Sequence, residues 1–180
     1  MLLILSPNII NAIDIAEVVL NTSSLTSRES IIRDSLEVWG YNVTIIDTAN
    51  VNYSNLSAYN TTVVLYQVEL DSSLIDSLIS NGKGVALIYS AGIAIGGTWN
   101  HLSSGSSNLF IDNNNAFLEG YGLGTNSYQC DISGYTYYTT TPQSGWTVLG
   151  HVGTGQNSVL YREDNGKGAI FGYDPFYYAP

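Results

Sequence analysis

The sequence predicts an α/β fold in which helices cover both faces of a mostly parallel sheet. Amphipathic helical patterns alternate with short apolar strands in the first half of the chain. The central strand is predicted over 84–89, where an apolar run follows the helix-ending Gly82 and stops at a Ser-Ala-Gly turn. Such unbroken runs are typical of buried parallel strands. We therefore expect 84–89 to be fully buried between the strand at 62–66 and the first strand, with any ligand beyond its carboxyl end.

Two helices have clear start and stop signals. Thr26 and Glu29 have the spacing of a capping box, and Gly40 is placed to end that helix. A second helix, over 72–80, begins after Asp71. The apolar face of the first helix is predicted to comprise Ile32, Leu36 and Trp39, with Ile31, Ser35 and Val38 beside them.

Residues 1–12 have two interpretations. The run 2–6 is either the first core strand or the end of a truncated signal segment. If it fed the helix at 27, the connection would be about twenty residues long, which is uncommon in a compact domain. We therefore favour 15–20 as the first strand, although Glu17 is an awkward residue for the centre of a parallel sheet. Residues 13–180 then form a single domain, with no membrane insertion apart from that signal segment.

The second half of the chain has a different character. Gly, Ser, Asn and Tyr dominate 94–145, and helical periodicity is scarce. We expect irregular structure and short strands near the carboxyl edge of the sheet. A pair of strands is predicted over 146–149 and 158–161. The tight turn Asn165-Gly166 then leads to a final buried strand over 167–173.

The composition limits the kinds of partner. The chain of 180 residues carries a formal net charge of -10, which disfavours nucleic acid and anionic membrane surfaces. The single Cys130 provides neither a disulfide nor a cysteine metal cluster, and no ligand spacing predicts a metal or a cofactor. A polar surface of Asn, Ser, Thr and Tyr favours an extracellular or cell-surface location. Five N-glycosylation sequons give weak support to that location, beginning at Asn21, Asn42, Asn52, Asn55 and Asn60.

Three stretches resemble the class I glutamine amidotransferase-like superfamily. Leu36 to Asp47 is similar to its helix-to-strand unit, and Ile79 to Ile88 is similar to the strand before its catalytic turn. Gly166 to Pro175 resembles the closing strand of its ThuA-like and related surface-protein branches. The resemblance covers roughly 15–93 and 146–178. It implies a three-layer flavodoxin-like fold with a Gly/Asn/Tyr-rich insertion, and we expect this chain to lack the helix that usually follows the closing strand.

The same resemblance implies that the family activity is lost here. Catalytic members carry a Cys in the turn after the central strand and a His after the final strand. Ser90 stands at the first position, and Gly172-Tyr173-Asp174 occupies the second without an imidazole. Members that have lost these residues serve as binding or scaffold domains.

The remaining candidate chemistry is centred on the turn at Ser90. A serine nucleophile needs a base, so the catalytic candidates are Ser90, His101, His151 and Asp174. The ligand-binding candidates are aromatic, small or acidic residues that we predict near strand ends, namely Tyr89, Ser90, Gly92, Trp99, Tyr173 and Asp174.

We predict a non-catalytic, extracellular or surface-exposed domain that binds or scaffolds, with a protein or a carbohydrate as its partner. Two alternatives remain open. One is a serine hydrolase that uses Ser90. The other is a carbohydrate-binding or sugar-processing accessory domain with Tyr173 and Asp174 in its pocket.

Overall fold

A computed structural model describes residues 12–65, 68–91, 98–102, 108–111, 128–131, 134–152 and 156–172, with the backbone path alone for the strands between 98 and 138. Within these ranges the chain forms eleven strands and three α-helices. In chain order they are β1 Asp14–Val19, α1 Ser27–Val38, β2 Asn42–Asp47, α2 Tyr53–Leu56, β3 Thr61–Val64, α3 Ser72–Ser80, β4 Gly84–Ile88, β5 Thr98–Leu102, β6 Asn108–Ile111, β7 Tyr128–Asp131, β8 Gly134–Tyr138, β9 Thr147–Val152, β10 Asn157–Glu163 and β11 Lys167–Phe171.

The main sheet has nine strands in the order β2-β1-β3-β4-β11-β10-β9-β6-β7. The first five run parallel, and the last four continue the sheet in antiparallel pairs. β5 and β8 form a separate antiparallel pair. The five-stranded parallel part has the flavodoxin-like order and confirms the predicted α/β fold.

The first strand and first helix form as the sequence predicts, with one exception. β1 spans 14–19, which confirms the choice of 15–20 over 2–6 as the strand that feeds α1, and residues 1–11 lie outside the described ranges. The capping box is present, since Thr26 N donates to Glu29 Oε2 at 2.6 Å. Trp39 is the exception, because it is 71% exposed and does not join Ile32 on the core face. Trp39 is the C-cap residue, where the helical path ends, so the helical period no longer fixes its direction.

The surroundings of β4 differ in two respects from the prediction. β4 pairs with β3 as expected, but its other neighbour is β11, because β1 lies between β2 and β3. Val85 and Leu87 are buried, whereas Gly84, Ala86 and Ile88 are only half-buried. The strand is therefore central but not fully buried, since one of its two faces is incompletely covered.

The predicted late strands are present as β9, β10 and β11. β9 and β10 pair antiparallel, and the turn at 164–166 joins β10 to β11. Within the described parts of 94–145 there is no helix, as predicted. The antiparallel strands β6 and β7, however, extend the sheet through β9 instead of lying over its carboxyl edge.

The hydrophobic core is unequal on the two faces of the sheet. A cluster of fifteen buried residues fills the α3 face and includes Val18, Val64, Leu78 and Leu87. Four buried residues form the cluster on the α1 face, namely Ile15, Ile32, Val63 and Leu65. None of the described helices has the length and apolar character needed to cross a membrane.

Candidate functional site

The turn after β4 contains the most strained backbone of the described chain. Tyr89 has φ 57°, and among described residues it is the single non-glycine residue with positive φ. Tyr89, Ser90 and Ala91 form a short 3₁₀ turn directly after the strand. The strained residue is Tyr89, one position before the nucleophile candidate Ser90. A positive φ at a bulky residue lowers the stability of the folded state by about 1–3 kcal/mol. Such residues persist where the surrounding structure holds them in place, and they cluster at functional sites.

Tyr89 and Ala91 are both buried, with 8% of Tyr89 and none of Ala91 exposed. Ser90 is half-buried. The sharp strand-to-turn geometry is the kind that presents a nucleophile in hydrolases. Here it presents a buried aromatic ring at the carboxyl edge of the sheet.

The closing strand ends beside this turn. Phe171 of β11 is in register with Ile88 of β4, so Gly172 leaves the sheet next to Tyr89. Gly172 N donates to Ser158 O at 2.7 Å, which fixes the end of β11 against β10. The predicted site residues Gly92, Tyr173 and Asp174 lie outside the described ranges.

The other candidate residues are distributed along the sheet. His151 is in β9, three strands from β4, which corresponds to roughly 14 Å at the usual strand spacing. His101 and Trp99 are in β5, opposite Tyr135 and Tyr137 of β8, and their side chains lie outside the described part. The strand that carries His151 is therefore not a neighbour of β4.

The only cysteine of the chain also lies in a strand that is remote from the turn. Cys130 is the only cysteine, and it lies in β7, where its partner in register is Leu109 of β6. β7 is the last strand of the sheet, five strands from β4, which is roughly 24 Å. A cysteine nucleophile at the turn after β4 is therefore excluded.

A buried carboxyl group in β1 is a second unusual feature. Glu17 is fully buried, and neither carboxyl oxygen has a hydrogen-bond partner among the described residues. Burial, reinforced by the negative charge of Glu29, raises the pKa of Glu17 to about 8, and Arg33 opposes this only in part. The group is mostly protonated at neutral pH. The sequence marked Glu17 as out of place in a buried strand but did not indicate that its pKa is raised.

Two shallow depressions of the described surface lie away from the turn. One, of about 200 Å³, lies at the carboxyl end of β2 and the start of α3. The other, of about 310 Å³, lies on the outer side of α1 and is lined by Ile31, Asp34, Ser35, Val38 and Trp39.

Within the described ranges no three His, Cys, Asp or Glu side chains are grouped as metal ligands.

Comparison with known proteins identifies the fold but not an activity. No family model and no curated protein sequence matches the chain. Three solved structures are similar over most of its length. A glutamine amidotransferase from Thermotoga maritima gives a TM-score of 0.53 at 12% identity, over 87% of this chain and 74% of that one. The protein SMU.1228c gives 0.56 at 10% identity, over 89% and 76%. A glutamine amidotransferase from Methylobacillus flagellatus gives 0.55 at 10% identity, over 91% and 71%.

These similarities show that the chain has the class I glutamine amidotransferase-like fold. At 10–12% identity they carry no information about substrate. The chemistry must therefore be judged from the residues at the turn after β4.

Proposed function

We propose that this domain binds a partner or holds neighbouring parts of a larger protein in place, without turning over a substrate. The observation that carries the proposal is Tyr89 at the strained turn after β4. In hydrolases built on such a turn, the strained residue is the nucleophile. Tyr89 is buried, with 8% of the residue exposed, and a tyrosine is not the nucleophile of those hydrolases.

The order of the strands supports the same proposal. A serine hydroxyl becomes an effective nucleophile when a neighbouring base accepts its proton. His151 is in β9, three strands from β4, so the two strand backbones are roughly 14 Å apart at the usual spacing. The residue that leaves β11 beside the turn is Gly172, which has no side chain to act as a base.

Ser90 should therefore not react with a serine-hydrolase probe. We expect a fluorophosphonate probe to label the folded protein no more than the heat-denatured protein, and Ser90→Ala to give the same result. Gel fluorescence after labelling measures this. Labelling of the folded protein that disappears in Ser90→Ala would show a reactive serine and would establish the hydrolase alternative instead.

We further propose that the domain is extracellular or exposed at the cell surface and is glycosylated. All five sequon asparagines are exposed, so the acceptor sites are accessible in the folded domain: Asn21, Asn42, Asn52, Asn55 and Asn60. Glycopeptide mapping of the protein recovered from its own cells should find sugar on at least one of them. Five unmodified asparagines in that sample would contradict the glycoprotein assignment.

A further inference from the structure

A carboxyl group with no hydrogen-bond partner lies between the parallel sheet and α1. Glu17 of β1 is fully buried, and neither of its carboxyl oxygens is hydrogen-bonded within the described part of the chain. Side chains alternate along a strand, so Glu17 lies on the same face as Ile15, which belongs to the core cluster beneath α1. The binding function proposed above makes no use of this group.

The strands around Glu17 offer it no counter-charge. Its register partners are Ile45 of β2 and Val63 of β3, which are apolar. β3 contains no ionisable residue, and the nearest one of β2 on this face is Asp47, two positions beyond Ile45. Three acidic groups and one basic group act on Glu17 from α1, namely Glu29, Asp34, Glu37 and Arg33. An ionised Glu17 would therefore add negative charge to a site that already has an acidic excess.

Glu29 connects this site to the start of α1. Its Oε2 accepts a hydrogen bond from Thr26 N at 2.6 Å, which is one half of the capping box of the helix. Glu29 is 4% exposed, so its carboxylate shares the space beneath α1 with Glu17. The basic group nearby, Arg33, already donates two hydrogen bonds to Asp34 Oδ1, at 2.9 and 2.7 Å. Charge on Glu17 therefore repels the residue that caps α1.

α1 is held to the sheet by few buried side chains. Of its twelve residues, Glu29 and Ile32 alone are buried. Three of the nine residues of α3 are buried, and all three are apolar. The core cluster on the α3 face has fifteen buried members, against four on the α1 face. Segments with few buried apolar contacts open separately from the rest of a domain, so α1 is better suited to local opening than α3.

We propose that Glu17 and α1 form a pH-dependent switch, in which α1 packs on the sheet while Glu17 is neutral and leaves the sheet when Glu17 ionises. Opening brings the carboxylate into water, separates it from Glu29 and uncovers Ile15 and Val63 of the sheet. The switch is a regulatory property of the fold and does not depend on what the domain binds.

The direction of the switch follows from the two states of Glu17. In the closed state burial raises the pKa of Glu17 from 4.5 to about 8, whereas in the open state the solvated group has its ordinary pKa. Between these two values the closed state holds a proton that the open state has lost. The open population therefore rises with pH from about 4.5 to about 8 and is constant above that.

Amide hydrogen exchange measures the opening of α1 at each pH. The exchange rates of the amides in 27–38, divided by those of an unstructured peptide at the same pH, give an opening constant. The two pKa values predict that this constant rises about 70-fold from pH 5 to pH 7 and about tenfold from pH 7 to pH 9. Mass spectrometry of peptic fragments follows α3 in the same samples. The opening constant of α1 should exceed that of α3 by about tenfold or more at every pH, because α1 opens without α3.

Variants at Glu17 assign the pH dependence to this carboxyl group. Glu17→Gln removes the charge and keeps the shape, so the opening constant of α1 should be nearly independent of pH between 5 and 9. Glu17→Leu makes the same test with an apolar residue of similar size, and circular dichroism checks that both variants fold. Glu69→Gln is the matched control, because Glu69 is exposed and is not among the groups that shift the pKa of Glu17. It should keep the full pH dependence.

Three results would overturn the proposal. The first is an opening constant of α1 that is the same at pH 5, pH 7 and pH 9. The second is a pH dependence that persists in Glu17→Gln or Glu17→Leu. The third is an equal opening constant for α1 and α3 at every pH, which would show that Glu17 acts on global unfolding alone. Ser90-dependent probe labelling would contradict the proposed function and leave the exchange of α1 unchanged, so the two proposals fail separately.

Discussion

Replacing Glu17 with Gln should remove most of the pH dependence of stability between pH 5 and pH 9. Burial raises the pKa of Glu17 from 4.5 to about 8. Between these values the folded state binds more protons than the unfolded state, so the free energy of unfolding falls as pH rises. The stability from this site is complete below pH 4.5 and is lost as the pH rises through 8. One pKa unit corresponds to about 1.4 kcal/mol, which gives a loss of about 4 kcal/mol between pH 5 and pH 9.

Burial determines the sign of the effect, and most of the charged groups around Glu17 reinforce it. It lies on the sheet face beneath α1, where Glu29, Asp34 and Glu37 raise its pKa and Arg33 lowers it. Its register partners in β2 and β3 are Ile45 and Val63, which are apolar. Ionisation therefore adds a negative charge to an apolar site that already faces a carboxylate, and the first turn of α1 is the part most directly affected.

Urea unfolding at several pH values measures this prediction. The unaltered protein should lose stability steadily above pH 5, and Glu17→Gln should show a much flatter profile. At pH 9 the variant should be the more stable protein, with a melting temperature roughly 10 °C higher. Glu69→Gln is the control, because Glu69 is exposed and is not among the groups that shift the pKa of Glu17, so its loss should leave the profile unchanged. Parallel profiles for the protein and Glu17→Gln would show that the carboxyl group is solvated.

Local signals in the sequence predict those parts of the fold that depend on nearby residues. The capping box at Thr26 and the Asp71 N-cap act within one helical turn, and both are present. The order of strands depends instead on contacts between distant segments. The apolar run at 84–89 therefore predicts a central strand but does not indicate that β11, eighty residues later, is its neighbour.

Prediction of the candidate site from the sequence is limited in the same way, because it depends on the conformation of a single residue. The sequence identifies the turn after β4 as the place where chemistry would be located. It does not show which residue has positive φ, since neither Tyr89 nor Ser90 has an intrinsic preference for that conformation. A glycine there would have identified the position. The partial exposure of the α1 face was likewise not predictable, because the pattern of α1 fits a helix buried along Ile32 and Leu36 whether or not its flank is covered.

Gly166→Ala should cost more stability than any other glycine substitution for which the described surroundings are known. The turn at 164–166 packs directly on the backbone that begins β4, and Gly166 N donates to Ile79 O at 2.7 Å. A Cβ at this position would overlap the carbonyl oxygen of Lys83 and would approach its amide nitrogen to 2.6 Å. Both atoms belong to backbone that is hydrogen-bonded to its neighbours, so relief requires the two turns to separate. We expect a loss of about 3 kcal/mol or more.

Gly166 matters for the candidate site because the contact between its turn and the backbone of Lys83 sets the register of β4 and β11. Lys167 N donates to Lys83 O at 3.3 Å, and from there the strands run in step to Ile88 and Phe171. Moving the turn at 166 would shift Gly172 relative to Tyr89. Gly40→Ala is the matched control, since a Cβ there meets nothing within 4 Å and the cost is limited to its φ of +90°, about 1 kcal/mol. Chemical denaturation of the two variants measures the difference, and a smaller loss for Gly166→Ala than for Gly40→Ala would show that the two turns are not in contact.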